Sequence, residues 1–109
     1  MKGNLKIIWS APAKRSLLEI MDYIKNRDSL SKARYVRDEI IKTVENTAIF
    51  PLKHPIDTII NNSDIRFTLK WSYKIVFRIT KNSIQILEIF HTRQNPDNLK
   101  NTVSTNEND

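Results

Sequence analysis

The feature that most constrains this chain is a change in the period of its apolar residues, helical before residue 50 and alternating after residue 64. Ala13, Leu17, Ile20, Met21 and Ile24 recur at the spacing of one helix face, with Lys14, Arg15, Glu19, Asp22 and Lys25 on the opposite side. Ser10 offers an N-cap oxygen, and Pro12 falls in the first turn, where its missing N–H costs nothing. The spacing predicts a helix over 11–27. Asp28, Ser29 and Ser31 form a short polar break, and a second helix follows with Ala33, Val36, Ile40, Val44 and Ala48 as its apolar stripe. It ends before Pro51, because a proline ring keeps the preceding residue out of helical angles. Helices joined by so short a link pack as an antiparallel hairpin.

Alternation replaces that period elsewhere. Leu5, Ile7 and Trp9 alternate with Lys6 and Ile8, which predicts a first strand over 5–9. After a polar connection over 51–63, Ile65, Phe67, Leu69 and Trp71 alternate with Arg66, Thr68 and Lys70. Tyr73, Ile75, Phe77 and Ile79 then alternate with Lys74, Val76 and Arg78. A turn at Lys81–Asn82 leads to a third run, from Ile84 to about His91. Short links make these three strands an antiparallel meander, and a last run apolar on both faces predicts a central, covered strand. The whole reads as an α+β two-layer domain of order β-α-α-β-β-β, an antiparallel sheet packed on a two-helix hairpin. Phe67, Ile75 and Phe77 are the sheet residues expected to meet the helix stripes. One domain is expected over 1–97, with a polar, flexible tail over 98–109.

Composition narrows the partners. Lys and Arg total 18 against 12 Asp and Glu, and the net charge of +6 invites an anionic partner such as nucleic acid or an acidic protein. With no cysteine, disulfides and thiolate metal sites are excluded, and His54 and His91 lie too far apart in sequence to suggest a metal. No apolar run reaches the ~20 residues of a membrane span, and no signal-peptide segment opens the chain. The expectation is a cytoplasmic protein without metal, cofactor or membrane.

Metal-free RNA cleavage needs a base for the 2′-hydroxyl, cations for the phosphate charge and an acid for the leaving oxygen. Arg66, Thr68 and Lys74 on the hairpin, and His91 and Arg93 at the end of the last strand, could supply such groups. Plain structural roles compete with this. Arg66, Lys70 and Lys74 on strands ordinarily form a solvated face, and His91 near a strand end ordinarily serves as a hydrogen-bonding residue. Arg93 could pair with Glu88 or Asp97. Trp71 and Tyr73 flank the hairpin turn, where packing is favoured over base stacking, and Trp9 belongs in the core.

The segments IIWSAPAKRSLLEIMDYI, AIFP, IRFTLKWSYKIVFRI and ILEIFHTRQNP, in that order and spacing, resemble the RelE/ParE superfamily of toxins. The resemblance covers roughly residues 5–99. It implies a toxin of a bacterial type II toxin–antitoxin system, neutralised by a cognate antitoxin. RelE-like members cleave mRNA on the ribosome, whereas ParE-like members act on DNA gyrase. Carried over to this chain, the RelE pattern gives Arg93 and Lys74 to transition-state charge, Arg66 with Lys70 to the substrate phosphate and His91 to proton transfer. Two departures thin that set: Thr68 stands where the nucleases often carry a lysine, and no tyrosine follows Pro96, Leu99 falling near its place. The leading expectation is ribosome-dependent mRNA cleavage. The alternatives are a gyrase poison, which needs a binding surface rather than an acid–base pair, and a catalytically weak autoregulatory partner.

Overall fold

The computed structural model describes residues 5–56 and 64–92. Part of the 51–63 connection, Arg93 and the expected tail over 98–109 therefore lie outside the described residues. The elements run β1 (Lys6–Trp9), α1 (Ala11–Arg27), α2 (Leu30–Thr47), a single 3-10 turn at Pro51–Lys53, β2 (Ile65–Lys70), β3 (Tyr73–Ile79) and β4 (Ser83–His91). Both helices start where their caps place them. The Ser10 hydroxyl accepts from the Ala13 N–H at 3.1 Å, and Ser29 does the same for Lys32 at 3.0 Å. Each satisfies an N–H left without an intrahelical acceptor. The Ser10 hydroxyl also donates to the Leu87 carbonyl at 3.0 Å, which ties the start of α1 to β4. No helix among the described residues is long and apolar enough to cross a membrane.

The four strands form one sheet in the order β1-β4-β3-β2. β2, β3 and β4 make the expected antiparallel meander, and β4 occupies an interior place. The first strand corrects the expectation of a wholly antiparallel sheet: β1 runs parallel to β4, Ile7 opposite Ile84 and Trp9 opposite Ile86. The helix pair between them acts as a crossover, so a strand far away in sequence becomes β1's partner. α1 and α2 cover one face, where Val36, Ile40 and Val44 are buried against Ile75, Phe77, Ile84, Ile86 and Ile89. Leu17, Ile20 and Ile24 of α1 pack on the same core.

Phe67 is not part of that core. β2 and β3 are joined by a two-residue turn, Trp71–Ser72, so Lys70 pairs with Tyr73, Thr68 with Ile75 and Arg66 with Phe77. Paired residues share a face, which places Arg66, Thr68 and Lys70 on the helix side. Ile65, Phe67 and Leu69 share the opposite face with Lys74, Val76 and Arg78. Ile65 and Val76 are fully buried there, with Phe67, Leu87 and Phe90 packed around them. The hairpin thus carries apolar residues on both faces, and parity fixed at the turn decides which face each side chain takes.

Candidate functional site

The four candidates among the described residues, Arg66, Lys70, Lys74 and His91, divide between the two faces. Lys74 lies on the face away from the helices, opposite Phe90 across β4. Its ammonium sits 4.5 Å from the Phe67 ring centroid and 5.9 Å from that of Phe90. A cation at that distance is drawn to the negative ring faces, so Lys74 is held in an apolar cradle. Arg78, four residues beyond Lys74, shares this face with Val76. It is a basic, largely apolar platform.

Arg66 and Lys70 occupy the helix side and are engaged there. Arg66 Nη1 donates to the carbonyls of His54 at 2.9 Å and Leu52 at 3.2 Å, pinning the segment after α2 to β2. Its Nε is buried without a hydrogen-bond partner among the described residues. His54 packs edge-on to Phe77, and burial, with help from neighbouring Lys53, holds its imidazole below the usual histidine range. Lys70 reaches α2 instead, where its ammonium lies 3.1 Å from Glu39. That hydrogen bond lowers the Glu39 pKa, and Lys42, 3.4 Å from the same carboxylate, adds to the effect.

One row of the helix side does bring candidates together. Lys70, Tyr73 and His91 are successive cross-strand partners on β2, β3 and β4. Lys70 and His91 thus sit two strand spacings apart, about 10 Å along the row. The rings of Tyr73 and His91 meet edge to face with centroids 5.6 Å apart. Partial burial, with Tyr23 close by, pushes the Tyr73 phenol above its ordinary value. Arg66 and Lys74 do not join this row, and Arg93 lies outside the described residues. Sequence reasoning passed over Tyr73 as packing; its place opposite His91 follows only once the register is known.

The sequence also placed Trp71 beside the hairpin turn, as packing rather than base stacking, whereas the structure puts it within the turn. Trp71 is the only described residue other than glycine with positive φ, at 53°, a conformation that places a bulky side chain against its own carbonyl. Two-residue turns normally fill such positions with Gly or Asn. The turn is braced, since the Thr92 N–H donates to the Ser72 carbonyl at 2.8 Å. Trp71 leans on Tyr35 of α2, ring centroids 6.0 Å apart, with the Lys70 ammonium 4.8 Å from its own centroid. Both residues stay about half exposed, 51% for Trp71 and 53% for Tyr35.

Comparison with known proteins identifies the fold and the branch. The family described as the ParE toxin of the type II toxin–antitoxin system, parDE, matches residues 7–96, most of the chain. A solved structure, "Chromosomal ParDE TA system from P. aeruginosa", superposes with a TM-score of 0.68 at 20% identity, over 83% of this chain and 98% of that one. At that identity the likeness speaks for the fold. No curated protein matches the chain. Of the two branches that the RelE/ParE resemblance left open, the match falls on the second, and it favours the gyrase alternative over the leading expectation of mRNA cleavage. The chain belongs to the ParE toxin family of type II toxin–antitoxin systems.

Proposed function

We propose that this toxin poisons DNA gyrase and is held inactive by a ParD-type antitoxin. The observation that carries the reading is the family match, joined by the dispersal of the candidate nuclease groups. Lys74 and His91 lie on opposite faces of the sheet, Arg66 is tied to backbone carbonyls, and Lys70 is bonded to Glu39. Acid–base catalysis needs its groups within hydrogen-bond reach of one scissile bond, whereas a poison needs only a complementary surface. Induction of the protein in cells, read separately for chromosomal breaks and for message integrity, tests the choice. Breaks with intact message are expected; ribosome-dependent message cleavage without breaks would refute it. The mRNA-cleavage reading retains one specific support, the contact of His91 with the protonated Tyr73 phenol.

For the antitoxin, the face around Lys74 offers the complementary chemistry. Phe67 and Phe90 supply apolar contact, and Lys74 and Arg78 supply positive charge for an acidic segment. Charge attraction of this kind quickens association and weakens with salt. The Lys74→Glu variant should therefore bind its antitoxin more weakly, and raising the salt should weaken the wild type more than the variant. Affinity indifferent to both changes would remove this face from the contact.

A further inference from the structure

The hairpin tip combines three features that packing alone does not require. A tryptophan holds a backbone angle at which glycine would be unstrained, its side chain remains half exposed, and the Lys70 ammonium lies over its ring. Strain of this kind persists where the side chain has a task at that position. The rings of Trp71 and Tyr35 form a tilted pair, 35° between planes, at the meeting of β2, β3 and α2. Lys70 lies over Trp71, Lys32 has its ammonium 6.0 Å from the Tyr35 centroid, and Lys42 meets Glu39, the carboxylate that Lys70 also contacts. Two of these ammonium groups, those of Lys70 and Lys42, share the Glu39 carboxylate, on a chain of net charge +6.

Open aromatic plates beside lysines are the means by which proteins hold unpaired nucleic acid, bases stacking on the rings and phosphates meeting the cations. A docked protein helix would instead call for a continuous apolar groove, which this patch of two rings and four charged side chains does not provide. We propose that the Trp71–Tyr35 tip is a binding site for single-stranded DNA, with an unpaired base against Trp71 and the adjoining phosphates on Lys70, Lys32 and Lys42. The choice of DNA over RNA rests on the gyrase reading, because an enzyme that opens the duplex exposes such a segment. In this arrangement Glu39 restrains binding, since it competes with phosphate for Lys70 and Lys42.

The test uses the full chain and needs no gyrase. Trp9, packed against the core, and Trp71 are the two tryptophans, so Trp9→Phe leaves Trp71 as the single reporter. Titration of that protein with a thymidine dodecamer should quench its fluorescence saturably. Anisotropy of the labelled dodecamer should show Trp71→Gly weakening affinity about tenfold. Glycine suits the positive φ, so that variant should remain folded; Trp71→Asn, also tolerated there, provides a second. Glu39→Gln should tighten binding. Affinity should fall with salt at a log–log slope of about −2, as for about three phosphate contacts on a single strand. Absent quenching, or equal affinities for wild type and Trp71→Gly, would overturn the site, and preference for a uridine dodecamer would overturn the assignment to DNA. Loss of gyrase inhibition in Trp71→Gly without any oligonucleotide binding would make the tip a protein contact instead. Oligonucleotide binding by a protein that leaves gyrase untouched would support the tip and count against the gyrase reading alone.

Discussion

Glu39 shows how much a single register position decides. From the sequence, Lys70 is a strand lysine expected on a solvated face, yet a two-residue turn places it toward α2 and beside this carboxylate. Because the Lys70 hydrogen bond lowers the Glu39 pKa from its ordinary 4.5, the unfolded chain takes up this proton more readily than the folded one. The stabilisation is fully present above that ordinary value and is lost as pH falls through the lowered one. Thermal unfolding followed down an acid series should show Glu39→Gln losing less stability than wild type over that window, and parallel curves would deny the linkage. Arg66 depends on register and chain path in the same way. Its alternation with Ile65 and Phe67 is plain in the sequence, but its bonds to the Leu52 and His54 carbonyls depend on where a distant segment passes. No local pattern records that path.

At the scale of elements, legibility followed the strength of the local signal. The helix over 11–27 and the stop before Pro51 were readable because caps, period and proline agree, and α1 and α2 carry them out. Ile40 is fully buried at the centre of that packing. Ile40→Ala should lower unfolding stability by about 2–5 kcal/mol in denaturant titrations, as other large-to-small core changes do. A loss well under 1 kcal/mol would mean the helix stripe is not packed as described. Strand existence was equally clear, but strand facing was not, since a shift of one residue at the turn exchanges the faces of β2. Phe67 was the casualty, and β1's parallel pairing was hidden because nothing in a four-residue strand names its partner. Trp71→Gly probes the turn itself. Relief of the left-handed angle is worth about 1–2 kcal/mol. Loss of the Tyr35 contact costs about 0.5–1.5 kcal/mol. The two nearly cancel, so unfolding midpoints should stay close to wild type, whereas a marked loss would show the ring to be a structural prop.

For the whole molecule, the toxin class was readable from segments spread along the chain, and the target was not. Both branches of the superfamily share one architecture, so order, layers and charge cannot separate a nuclease from a gyrase poison. The difference lies in whether catalytic groups converge, and convergence depends on register and loop paths that the sequence leaves open. Here Lys74 and His91 fall on opposite faces, while the family match lies with the gyrase branch. The most direct measurement combines purified toxin, gyrase and supercoiled plasmid, with covalent enzyme–DNA breaks counted after denaturation, for wild type and His91→Ala. Gyrase poisoning predicts breaks that rise with toxin, disappear on addition of antitoxin and are unchanged in His91→Ala. Plasmid left intact by a protein that cleaves ribosome-bound message, with cleavage lost in His91→Ala, would contradict it.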